Sequence, residues 1–234
     1  MNDLTDASIQ ALQLLLSGDA EVWNIISVSF TVSLKAILIA TVPAIAVSFV
    51  LAYYAFPGRR FVITLFNTAL AIPAVVVGLT LYLLLSRSGP FGDLHLLFTQ
   101  EAMIIGQIIL AFPLLVAMSH ASLQSSDQRA WETAITLGAS AFMAAVTVIR
   151  EVRFGLMAAV IAAFGRIIAE VGSSMMVGGN IFNHTRNIPT AIALETSKGS
   201  FVEGIALGMV LLTLALLLNF FLTAIQGKAE VIHQ

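Results

Sequence analysis

The chain has 234 residues, of which 59% are hydrophobic and only 10% charged, with a formal net charge of −2 and a mean hydropathy of +0.96. A soluble domain carries about 25% charged residues, so this composition excludes an ordinary water-facing surface and makes lipid the solvent that fits. The balance of charge, without a basic run, excludes nucleic acid, and the absence of cysteine excludes disulfides, thiolate metal sites and cysteine nucleophiles.

In chain order, residues 1–6 lack a basic stretch ahead of an apolar core, so the expectation is an uncleaved start to the mature chain. Residues 1–24 form an outer segment. Within it, residues 7–16 place Ile9, Leu12, Leu15 and Leu16 at helical spacing, which predicts an amphipathic helix lying on the membrane. A spanning helix needs about 20 mostly apolar residues. Segments 25–56 (with Lys35 near its outer end), 61–85, 103–118, 155–177 and 201–225 qualify. The fold class is therefore all-α, a polytopic bundle of five transmembrane helices behind an interfacial helix, with a membrane domain over 25–226 and a tail over 227–234. Pro43, Pro73 and Pro113 fall inside spans and predict kinks that neighbouring helices re-satisfy. Gly204 and Gly208 form a small-xxx-small face for close packing. The sequence shows no internal repeat, which argues against inverted-repeat transporters.

Lys and Arg set the direction. Arg59, Arg60, Arg129, Arg150, Arg153 and Lys228 flank one side of the five spans; Arg87, Arg186 and Lys198 flank the other, together with Asp3, Asp6, Asp19 and Glu21. The positive-inside rule puts the first set in the cytoplasm, the N-terminus outside and the C-terminus inside a plasma membrane.

The inner connection, residues 120–154, is long for a compact protein, and long loops are usually functional. Ser126 or Asp127 can cap a helix in which Trp131, Ala134, Ile135 and Leu137 are mostly apolar; Gly138 permits a left-handed or close-packed turn, and Ser140 can start a second helix. Two readings stand: the short helix presents its apolar face to a cytoplasmic partner, or it packs under its own bundle.

The fourth span carries Arg166 and Glu170, each costing about 2.5–3.5 kcal/mol if left alone at mid-membrane on insertion scales. Four residues apart on a continuous helix, they share a face and are expected to pair. The pair either neutralises itself for insertion or lines a conduction path. Ionisable groups inside a membrane default to function, so the second reading is carried forward. Gly172, Ser173 and Ser174 add a small polar strip, and Met175 and Met176 are adaptable plugs suited to a gate. Asn187 before Ile188-Pro189 predicts a capped outer helix. His95, His120, His184 and His233 have no metal-ligand spacing, and there is no G-x-x-x-x-G-K-[ST] phosphate loop for nucleotide hydrolysis.

Glu132-Thr133-Ala134, followed by Gly138, resembles the Glu-Ala-Ala…Gly signature of permease subunits in ATP-binding-cassette (ABC) importers, with Thr133 where Ala is usual and Arg150-Glu151 where Leu-Pro is usual. The segment Arg166 to Gly172 is similar to the corresponding stretch of molybdate, tungstate and sulfate permeases. Gly178-Gly179-Asn180-Ile181 and Ile188 to Glu195 most resemble the tungstate branch. The resemblance implies a non-enzymatic permease that binds no cofactor itself, ATP and Mg belonging to a partner ATPase. Its coupling helix, with Glu132, Ala134, Leu137 and Gly138, would dock on that ATPase. Arg166, Glu170, Gly172, Ser173 and Met175 would lie on the anion path and gate. The implied partners are the ATPase, an extracytoplasmic binding protein, a second copy of the chain and membrane lipid. A stand-alone secondary transporter or channel using Arg166 and Glu170, or a structural membrane protein, would need no ATPase-docking helix.

Overall fold

The computed structural model describes residues 9, 10, 12, 13, 15–125 and 128–232, with side chains described up to residue 221 except for 128–130. Its described residues form ten long or short α-helices, one 3₁₀ turn and no strand. The first, α1, spans Ala20–Tyr53. Asp19 starts it by accepting the Val22 N–H at 3.0 Å, and Glu21 in the first turn suits the positive helix end. At the other end Arg59 reaches back, donating from Nε to the Leu51 carbonyl at 2.6 Å and from Nη2 to that of Ala52 at 3.4 Å. A cation thus meets carbonyls that the helix end leaves without intrahelical partners.

The expected second span does not continue through. It is two helices, α2 (Arg59–Ala69) and α3 (Ala74–Leu85), bent by 98°. Pro73 sits at the bend in an extended conformation rather than within a helix, so of the three span prolines it alone breaks the rod. Pro43 and Pro113 remain inside continuous helices. The third span is longer than expected: α4 covers Gln100–Gln124, with Thr99 as its cap. A loop bearing the 3₁₀ turn Gly92–Leu94 joins α3 to α4.

Within residues 120–154 two helices form, α5 (Gln128–Thr136) and α6 (Ala141–Glu151). Ser140 caps α6 by accepting the Met143 N–H at 3.3 Å, as expected; Ser126 and Asp127 lie outside the described residues. The fourth span also breaks, into α7 (Arg153–Ile168) and α8 (Gly172–Gly178), bent by 58°. After α8 come α9 (Ile188–Lys198) and α10 (Phe201–Ile232). Three helices, α1, α4 and α10, are each long and apolar enough to cross a membrane alone; the two bent pairs bring the number to five if each pair is one span.

The core lies between α1 and α4. Val32, Ala36, Ala40 and Ala44 on α1 share one buried cluster with Met103, Ala111, Leu115 and Val116 on α4, all at 0–1% exposure. The small side chains on α1 let the two rods approach closely. Around this pair α3, α7 and α8 complete the cluster through Val77, Leu81, Ala163, Ile167 and Val177. At the N-terminal end of α1 Leu15 joins a second cluster with Val22, Ile25 and Ile26 of α1, Ile188 and Ala191 of α9 and Leu207 of α10. Ile9, Leu12 and Leu16 stay exposed, Leu12 and Leu16 lining an open apolar groove with Trp23 and Phe30 of α1 and Met209 of α10. Residues 7, 8, 11 and 14 of the expected amphipathic helix lie outside the described residues.

Candidate translocation site

The two bends meet. Glycines let α3, α4 and α8 come within backbone contact at this point. A Cβ on Gly172 would stand 2.6 Å from Val75 Cγ2 and 3.1 Å from its backbone nitrogen, and one on Gly78 would stand 2.8 Å from Ser173 Cα. A Cβ on Gly106 of α4 would collide with Ser173 Oγ. Both breaks therefore sit side by side, with Gly78 and Ser173 buried between them and Ile72, Val75 and Val171 on the uncovered side. Irregular backbone at membrane depth persists only where protein buries it or where it lines a wet cavity, and discontinuous spans are the usual pointer to a transport site.

The charged pair expected from spacing is not formed. Because α7 stops at Ile168, Glu170 lies beyond the helix and the four-residue register with Arg166 is lost. Glu170 instead caps α8: its Oε1 accepts the Ser173 N–H at 2.9 Å, and Oε2 accepts the same N–H at 3.1 Å and that of Ser174 at 3.4 Å. Its negative charge is thereby spent on free helix N–H groups. Arg166, in the last turn of α7, is exposed and has no carboxylate partner among the described residues; the ion pairs found there are Arg186–Glu21 at 3.2 Å and Lys198–Glu195 at 2.8 Å.

Gln107 of α4 was not singled out in the sequence, yet it supports the break. At 1% exposure it donates from Nε2 to the Ile167 carbonyl at 3.2 Å, one of the carbonyls released where α7 ends. Its Oε1, with the hydroxyls of Ser173 and Ser174, is buried without a hydrogen-bond partner among the described residues. A lone amide in an apolar span beside Gly106 was the available signal. Met175 is exposed, as are Val171 beside it and Ile72, Val75, Val76 and Leu79 along the second span. This face is the uncovered side of both broken spans; of the two exposed cations on the α7/α8 pair, Arg153 starts α7 and Arg166 lies in its last turn, next to the break.

At the opposite end of the bundle, α5 is anchored and α6 is capped beside it. Trp131 packs at 5.4 Å from Phe49 and 5.3 Å from Tyr53, ring centre to ring centre, over Leu123 and Val148. The helix therefore does pack under its own bundle through Trp131, while its tip points away. Leu137 is 83% exposed, Glu132 is exposed and Ala134 is half-buried. Gly138 takes φ +85°, and the turn closes with Gly138 N–H to Ile135 O and Ala139 N–H to Ala134 O, each 3.0 Å. This double bond is a Schellman stop, which requires the left-handed residue that glycine supplies. On the other side Asn187 caps α9 in a reciprocal box with Thr190, as the sequence anticipated, and the Ile188 N–H donates to Ser29 Oγ at 2.6 Å.

No family model matches the chain. It is 42% identical over 201 residues to a probable anion ABC transporter permease protein of Haloferax volcanii, covering 84% of this chain and 87% of the relative. It is 41% identical over 215 residues to the tungstate uptake system permease protein TupB of Campylobacter jejuni, covering 92% and 90%. It is 37% identical over 218 residues to TupB of Peptoclostridium acidaminophilum, covering 93% and 96%. Among solved structures, the fold matches a chain of a bacterial alginate ABC transporter in complex with an alginate-bound periplasmic protein, at TM-score 0.70 and 17% identity, covering 94% of this chain and 86% of that one.

Proposed function

The chain belongs to the anion permease family of ABC transporters, and from that premise we propose that it carries tungstate across the plasma membrane as the membrane subunit of an ATP-driven importer. The observation that carries the reading is the meeting of two broken spans beside the unpaired Arg166. A tetrahedral dianion needs positive charge and polar groups at a depth where water is scarce. Arg166 supplies the charge. Glu170 would repel an anion if free, but its carboxylate is occupied by the N–H groups of α8. Gly172, Ser173 and Met175 carry the rest of the path and gate.

Two copies related by a two-fold axis place their exposed α3 and α8 faces together, so that two Arg166 side chains face one dianion. Each copy offers Glu132, Ala134, Leu137 and Gly138 at the tip of α5 to one ATPase subunit, which binds the ATP and Mg. Nucleotide then biases which of two pore conformations is populated. The tip of α5 lies in the cytoplasm and α9 outside, facing the binding protein. A stand-alone secondary transporter is not favoured, since family membership supplies an ATPase partner.

The test is uptake of tungstate by proteoliposomes holding the chain, its ATPase and its binding protein. Uptake should require internal or external ATP on the ATPase side and should be competed more strongly by tungstate than by molybdate or sulfate. Uptake driven by an ion gradient with the ATPase absent would overturn the reading.

A further inference from the structure

We propose that Phe98 is a positioning residue that latches the gate helix α8 to the outer loop between α3 and α4, so that release of this latch couples events at the outer mouth to the gate. The inference rests on the reading of α8 as a gate element. Phe98 lies immediately before the cap of α4, with φ +66°, a left-handed conformation that bulky residues rarely hold. Such an outlier persists only where its surroundings over-determine it. Two contacts do so here, and both are to α8.

The Phe98 N–H donates to the Val177 carbonyl at 2.8 Å, closing on the C-terminal turn of α8. Its ring lies against Gly179, where a Cβ would stand 2.7 Å from the Phe98 Cδ1 and 3.1 Å from its Cε1. Gly179 is the left-handed residue that ends α8, at φ +68°, so the same position needs glycine for its backbone and for the ring. The Tyr82 ring of α3 lies 6.3 Å from that of Phe98 on another side. The rest of the segment is tied down in parallel. Gln100 Nε2 donates to the His184 carbonyl at 2.8 Å, and Thr185 Oγ1 donates to the Gly178 carbonyl while accepting the Ile181 N–H at 2.9 Å.

The outer end of α8 is thus held by the loop, whereas its inner end is held by Glu170 and the glycine contacts of the broken spans. Phe98 itself remains 40% exposed, beside exposed Phe91 and Leu94 of the same loop and Ile181 and Phe182 after α8. A body pressing on this apolar rim moves a strained residue whose main chain and ring both grip the gate helix. His95, Asn180 and Asn183 are also left-handed, but Phe98 is the bulky residue among them, and its main chain and ring both meet α8.

The experiment combines hydrogen exchange on the detergent-purified chain with tungstate uptake by the reconstituted complex. Phe98→Gly removes the ring and relieves the left-handed strain; Gly179→Ala displaces the ring from the opposite side; Phe98→Tyr keeps it. Both disruptive variants should raise exchange of the α8 amides at least about tenfold, leaving those of α1 unchanged. They should also raise ATP hydrolysed without binding protein, so that ATP consumed per tungstate imported increases several-fold, with Phe98→Tyr like the wild type. If one disruptive variant fails to accumulate, the other decides. Unchanged α8 exchange, or a uniform fall in hydrolysis and uptake with their ratio intact, would overturn the latch. Absence of ATP-dependent tungstate uptake by the wild type would instead overturn the functional reading, leaving the exchange result to judge the latch alone.

Discussion

Where α7 ends decides how Arg166 and Glu170 behave when removed. On an unbroken helix each would strand the other, and an apolar double replacement would repair both losses. With α7 stopping at Ile168, Glu170 serves as a cap and Arg166 stands alone. Glu170→Leu should therefore cost about 1 kcal/mol by exposing helix N–H groups without an acceptor, and Glu170→Gln less, because the amide oxygen still accepts. Arg166→Met should leave stability unchanged and abolish uptake. In a double-mutant cycle on unfolding of the purified protein, the two changes should add to within about 0.5 kcal/mol. A coupling energy well above about 1 kcal/mol would show that they pair after all. The types of these residues and their importance were legible in the sequence, since charges are conspicuous in an apolar run. Their geometry was not, because spacing implies a shared face only while the helix continues. Gln107 was overlooked for the converse reason: an amide is a weaker flag than a charge, and its partner, the Ile167 carbonyl, is a main-chain atom sixty positions away with no sequence signature.

At the level of helices, hydropathy located each apolar stretch but could not see direction. Residues 61–85 and 155–177 have the composition of spans, yet each turns sharply part-way. Pro73 signalled the first turn and was weighed as a kink; the second has no proline, and only the run Glu170, Gly172, Ser173 hinted at a helix starting afresh. The turn at Gly138, by contrast, was legible, because a left-handed stop has a strong residue preference. That stop supplies a direct test. In Gly138→Leu the added Cβ meets no atom within 4 Å, so the change acts chiefly on the backbone, whose left-handed conformation becomes unfavourable by about 1–2 kcal/mol. The α5 tip should lose its shape while the spans remain inserted. Membrane levels should stay near wild type, ATPase co-purification should fall and tungstate uptake should be lost. Normal uptake would make the tip a passive connection.

For the molecule as a whole, one chain offers a single α5 tip and a single uncovered α3/α8 face. On the proposed reading a two-fold partner covers that face. Mass measurement of the detergent-solubilised complex should find two copies of the chain with two ATPase subunits; an active complex with one of each would refute the dimer. Orientation has its own check, made simple by the lack of native cysteine. A cysteine at Ser200 should react with an impermeant reagent in intact cells, and one at Ser140 only after permeabilisation. Reaction at position 140 in intact cells would reverse the topology and remove the α5 tip from the ATPase side.

The meeting of the two bends also bears on how the protein is made. Helices α1, α4 and α10 can each enter the bilayer on their own apolar length, whereas α2, α3, α7 and α8 cover 11, 12, 16 and 7 residues and qualify only in pairs. When the second span leaves the ribosome, the Gly106 and Gln107 side of α4 and the whole of α8 are still unsynthesised. Its bend then lacks Gly172 and Ser173, against which Val75 and Gly78 pack, and a break without its packing partners is costly in hydrocarbon. The nascent second span must wait, held near water or by the insertion machinery, until α4 and α8 arrive. Insertion then departs from chain order: α1 and α4 stand first as a frame, and the two bent spans settle together against them once α8 is made.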